Sequence, residues 1–93
     1  MTEELKSAIE RAAAALKAFG AKEVYVFGSA ATGTMREDSD IDLAVSGLPP
    51  EVFFKAMGAA SDVLKRPFDL LDLDDDNLFT EYLKKKGKLL RVA

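Results

Sequence analysis

Residues 24–27 read Val-Tyr-Val-Phe and run directly into Gly28-Ser29; ten residues later comes Asp40-Ile41-Asp42-Leu43-Ala44-Val45. This pairing constrains the chain more than anything else in it. The first run is β-branched and aromatic, the composition of a strand, and Gly28-Ser29 closes it with a turn. The second run alternates acid with apolar. Successive strand side chains face opposite ways, so Asp40 and Asp42 project to one side while Ile41 and Leu43 take the other. Asp is depleted from strands, and two like charges on one face repel, so the pair calls for a counter-charge. Paired carboxylate oxygens are hard donors that suit Mg²⁺ or Mn²⁺ better than Zn²⁺. A turn presenting backbone N–H groups beside such a cation is expected to seat a nucleoside triphosphate. Gly28 would let the backbone approach phosphates, with Ser29 adding an N–H and a hydroxyl. Taken alone, a Gly-Ser pair after a strand is only a turn, and two strand acids are a solvated face; the combination favours the site.

What is missing narrows the chemistry further. The chain holds neither histidine nor cysteine. A Ser-His-Asp hydrolase, a zinc hydrolase and a thiolate metal site therefore have no parts here, and any general base is a carboxylate, Lys or Tyr. Lack of cysteine also fits a reducing cytoplasm, the expected location. A net charge of −3 gives no basic surplus for general nucleic-acid binding. No apolar run approaches the length of a membrane span, and the N-terminal residues do not read as a signal peptide. With 93 residues, the chain is expected to form one small domain over 1–93.

The remaining pattern alternates helix and strand. Leu5, Ile9, Ala12, Leu16 and Phe19 recur at helical spacing, with Thr2 as cap and Gly20 as stop. Glu23–Phe27 and Asp40–Ser46 are the two strands above, joined by a helical turn over Ser29–Thr34 and a polar loop, Met35–Ser39. Pro50 opens a helix that runs to about Lys65, with Val52, Phe53, Met57, Ala60 and Leu64 as its apolar stripe. Phe68–Leu73 is a third strand. Asp74-Asp75-Asp76-Asn77 caps a last helix ending at Lys86-Gly87, and Leu89–Val92 is expected to be an edge strand. Such alternation argues for a layered α/β fold, with a parallel βαβ sheet as the default.

Gly28-Ser29, the gap and Asp40-x-Asp42 together resemble the signature of the DNA polymerase beta-type nucleotidyltransferases, and the short length resembles their minimal (MNT) branch. The resemblance covers roughly residues 22–75. It implies a mixed sheet of three to four strands flanked by helices, with the two acidic strands adjacent at its centre. It also implies a third acid on a later strand. Five aspartates lie between positions 69 and 76; Asp72 has the opposite strand parity, Asp74 to Asp76 read as a solvated turn, and Asp69 is the choice. On this reading Asp40, Asp42 and Asp69 hold two Mg²⁺ ions and act catalytically, while Gly28 and Ser29 bind the NTP, expected to be ATP. An NMP unit passes to a hydroxyl of a partner protein. In the family that partner is commonly a HEPN-domain toxin, the MNT protein being its antitoxin.

One departure from the family pattern stands out. Many relatives carry basic residues in the loop that opens with Gly-Ser, where this chain reads Ala30-Ala31-Thr32. Arg36, Lys65 and Arg66 are the nearest replacements in sequence. The plain loop keeps open a second reading, a non-catalytic module of the same fold that neutralises its partner by binding. Lys84-Lys85-Lys86-Gly87-Lys88 reads either as a helix end complementing its dipole or as a contact surface for an acidic partner. Adjacent Phe53 and Phe54 diverge by about 100° on a helix, so with Phe79 and Tyr82 they are candidates for an exposed partner-binding surface.

Overall fold

The computed structural model describes residues 2–33 and 40–93, and within them the expected alternation is present. The order is α1 (Glu3–Ala18), β1 (Glu23–Phe27), α2 (Ser29–Thr32), β2 (Ile41–Ser46), a 3₁₀ turn (Pro50–Val52), α3 (Phe53–Leu64), β3 (Phe68–Asp72), α4 (Leu78–Lys85) and β4 (Leu90–Arg91). The expected polar loop over 35–39, with Thr34 and Arg36, lies outside the described residues.

The four strands form one mixed sheet in the order β3-β2-β1-β4. β1 runs antiparallel to β2 and β4, whereas β2 and β3 are parallel. The parallel default therefore gives way: β2 pairs antiparallel with β1, and α3 makes the crossover from β2 to the parallel β3. The two acidic strands are adjacent as expected. Only β2 is central, however; β3 is an edge strand, and that difference bears on Asp69 below.

Strand parity sorts the side chains into two cores. Val24, Val26, Ile41, Leu43 and Val45 are fully buried and face α1 and α3. Those helices pack on each other, and Ala12 and Ala13 of α1 and Ala56 and Ala60 of α3 are all buried in the shared cluster, small side chains that permit a close approach. Leu16 is completely buried in the same cluster, and truncating it to Ala would cost about 2–5 kcal/mol. On the other face, Phe27 and Ala44 pack with Leu73 and with Leu83 of α4. Only eight residues long, α4 covers part of that face and leaves the acidic corner open. No helix among the described residues is long and apolar enough to cross a membrane.

The helix starts follow from identifiable caps. Thr2 accepts the Leu5 N–H at 3.1 Å, opening α1. Asn77 accepts the Thr80 N–H at 3.0 Å while Thr80 Oγ1 accepts the Asn77 N–H at 3.2 Å, a reciprocal cap for α4. The third helix begins at Phe53 and not at Pro50, because the proline turn is wound as 3₁₀. Of the suspected surface aromatics, Phe54, Phe79 and Tyr82 are exposed, whereas Phe53 is partly buried against the core.

Candidate active site

The site is built where β1 stops. Its last residue, Phe27, lies opposite Asp42 of β2, and Asp42 lies opposite Asp69 of β3. The two carboxylates thus stand side by side on neighbouring strands, whose spacing is about 4.8 Å. Asp42 shares the parity of Ala44, so it sits on the sheet face that α4 only partly covers.

Gly28 brings the chain across the end of β2. Its backbone has φ 66° and ψ −145°, a region open essentially to glycine alone. A Cβ built there would fall on the Asp42 carboxylate. The carboxylate therefore rests directly against the turn, and only the absence of a side chain permits this. Beyond Gly28 the chain winds into α2, with the Ala31 and Thr32 N–H groups donating to the Gly28 carbonyl at 3.1 and 3.2 Å. The N–H groups of Ser29 and Ala30, in the first turn, have no carbonyl within the helix to accept them.

The three selected acids differ in environment. Asp42 is partly buried, Asp40 is exposed immediately before β2, and Asp69 is exposed. Asp69 is exposed because β3 is the sheet edge, so no further strand flanks it. Partial burial holds the Asp42 carboxyl above its ordinary range, reinforced by the charges of Asp69 and then Asp40. Both neighbouring charges therefore act on Asp42. Among the described residues no three acidic side chains form a preassembled ligand group. Even so, carboxylate oxygens are hard donors with the chemistry that suits a divalent cation.

The neighbouring aspartates have structural partners. Asp72 accepts the Asp74 N–H at 2.9 Å, and Asp74 accepts the Gly47 N–H at 2.7 Å. The Asp75 carbonyl accepts the Thr80 hydroxyl at 2.8 Å. These groups fasten the turn between β3 and α4.

A cavity of about 440 Å³ adjoins Asp42. Phe27, Gly28, Thr32 and Asp42 form one side; Phe79, Tyr82 and Leu83 of α4, with Lys88, form the other. The expected cations lie elsewhere or outside the described residues. Lys65 caps the C-terminus of α3, and Arg66 lines a groove with Phe54 and Phe68. Lys88 was the residue that spacing did not single out, being grouped with the preceding lysines. The signal was Gly87, which stops α4 and separates Lys88 from them.

Comparison with known proteins supports a family assignment. Residues 10–92 match the family model described as polymerase beta, nucleotidyltransferase. A solved structure described as a candidate minimal nucleotidyltransferase shares 26% identity with a TM-score of 0.70, covering 96% of this chain and 94% of that one. A toxin–antitoxin structure with AMP-PNP shares 22% identity at a TM-score of 0.69, over 92% of this chain and 70% of the other. An MntA–HpeT toxin–antitoxin mutant shares 20% identity at 0.68, over 87% and 68% respectively. No functionally curated protein matched.

Proposed function

Since the chain belongs to the polymerase beta nucleotidyltransferase family and has the size and fold of its minimal branch, we propose that it transfers NMP from ATP to a hydroxyl of a partner protein, acting as the antitoxin of a HEPN–MNT pair in the cytoplasm. The observation that carries this reading is the contact between the side-chain-free Gly28 and the Asp42 carboxylate, with Asp69 in register beside it. No other residue type at position 28 would let a triphosphate-seating turn and a metal-binding acid share that space.

Asp40, Asp42 and Asp69 would hold a pair of Mg²⁺ ions. Bound there, the ions supply charge neutralisation for the triphosphate and lower the pKa of the attacking hydroxyl. The protein's own groups do the rest. First-turn N–H groups of Ser29 and Ala30 hold phosphate oxygens, Ser29 Oγ adds a donor, and Gly28 keeps the approach clear. The partner's hydroxyl oxygen attacks the α-phosphorus in line. The bond to the bridging α–β oxygen breaks, and pyrophosphate leaves with that electron pair. Asp69, exposed at the sheet edge, accepts the hydroxyl proton; an acceptor delivered from solvent can reach it.

The toxin–antitoxin assemblies among the structural neighbours, one with AMP-PNP, support both the nucleotide and the protein partner. The Ala30-Ala31-Thr32 loop favours the second reading, in which the same surface only occludes the partner. Pyrophosphate release separates the two. Protein, partner, ATP and Mg²⁺ should release pyrophosphate, and Asp40→Asn/Asp42→Asn should release none. Absence of release by the wild-type pair would leave occlusion.

A further inference from the structure

The acidic corner has a second wall that its motif does not describe. The last helix, α4, presents Phe79 and Tyr82, three residues apart and hence on one helical face, to the cavity that holds Gly28 and Asp42. Both rings are about half exposed, at 49% each. Phe79 is fixed by an edge-on contact with Phe27, ring centroids 6.0 Å apart. Two aromatic rings, one of them held by this contact, thus line the same cavity as a carboxylate, and burial in a core does not account for them.

The end of α4 adds a cation. Gly87 takes φ 63°, the left-handed conformation that stops a helix, and the Lys88 N–H returns to the Leu83 carbonyl at 3.1 Å. This is the bond of a Schellman motif, which folds the chain back over the final turn. Lys84, Lys85 and Lys86 precede the stop, and the cavity is lined by none of them; Lys88 follows it and lines the cavity. The cation that the Gly-Ser loop lacks at Ala30, Ala31 and Thr32 is thus supplied from the opposite side.

The geometry points to the α4 wall as the nucleotide's second half-site: Lys88 binds the triphosphate, and Tyr82 with Phe79 stacks the base. This inference rests on the nucleotidyl-transfer reading above and adds which residues hold the donor. The cavity of about 440 Å³ lies within the range of about 300–1,000 Å³ common for small-ligand sites. An aromatic surface stacks any base, so the wall confers affinity for a nucleoside without choosing between purines.

Calorimetric titration with two probes, Mg²⁺–AMP-PNP and Mg²⁺–tripolyphosphate, tests this on the full chain. Lys88→Gln is expected to weaken both probes about tenfold or more, the loss of one charge-assisted contact. Tyr82→Leu keeps an apolar side chain on the exposed helix face. It is expected to weaken AMP-PNP about fivefold or more while leaving tripolyphosphate unchanged. Lys84→Gln, removing an equal charge outside the cavity, should leave both within about twofold. Wild-type affinity in Lys88→Gln, or equal losses of both probes in Tyr82→Leu, would overturn the assignment while leaving the proposed reaction standing. Wild-type protein that binds neither probe would overturn both.

Discussion

Gly28→Ala is the smallest change that tests the geometry of the site. Two costs add. The backbone at φ 66°, ψ −145° is a region that a non-glycine residue occupies only at about 1–3 kcal/mol. The new methyl group also lands on the Asp42 carboxylate, which must leave its rotamer at about 0.5–1.5 kcal/mol. The expected loss is about 1.5–4.5 kcal/mol, large beside the 5–15 kcal/mol typical of a domain. For a domain of this size that lowers the melting temperature by at least about 6 °C. The two costs separate in a double-mutant cycle. In an Asp42→Ala background the collision disappears and only the backbone cost stays, so the two substitutions should couple by about 0.5–1.5 kcal/mol. Urea denaturation of the four proteins reads both quantities. A Gly28→Ala protein within about 0.5 kcal/mol of wild type would refute the backbone argument. Strictly additive substitutions would refute the contact with Asp42.

Three further outcomes follow from the same structure. Asp42→Asn should stabilise the metal-free protein at pH 7 by roughly 0.2–1 kcal/mol, the cost of like charges opposite each other in a sheet. Because burial and then the neighbouring acids hold the Asp42 carboxyl above its unfolded value, its penalty exists above the folded-state pKa and fades as pH falls through it. Melting curves recorded downward from pH 7 in EDTA should therefore converge for the two proteins, and a widening gap would reverse the sign. Mg²⁺ at a hundredfold excess over its dissociation constant should stabilise wild type by about 2.7 kcal/mol, and Asp42→Asn should lose most of that response; equal responses would exclude Asp42 as a ligand. Thr80→Val keeps the shape of the completely buried Thr80 but deletes its bonds to Asn77 and Asp75, so denaturation should show a loss of about 1–3 kcal/mol.

Much of this arrangement was legible in the residues, and for physical reasons. Glu23–Phe27 reads as a strand and is one over those bounds, because β-branched and aromatic residues alternate there without a competing helical period. Val24, Val26, Ile41 and Leu43 follow strand parity into the core, and the same parity brings Asp42 to the open face. What escaped were properties of neighbours distant in sequence. Whether Asp69 would be enclosed depended on β3 being the sheet edge, which no local pattern encodes. Lys88 was hidden by its surroundings, since a lysine following Lys84, Lys85 and Lys86 looks like part of a solvated helix end. Its place in the cavity depends on the Gly87 stop and on which face of the sheet α4 covers.

The intact mass of the partner after incubation with this protein, ATP and Mg²⁺ tests the central claim most directly. A hydroxyl that attacks the α-phosphorus keeps the NMP, so the partner's mass should rise by one or more AMP units. Asp40→Asn/Asp42→Asn should abolish the increment while the two proteins still form their complex. A partner that stays at its unmodified mass yet is fully inhibited by the wild-type protein would contradict nucleotidyl transfer and leave binding as the function.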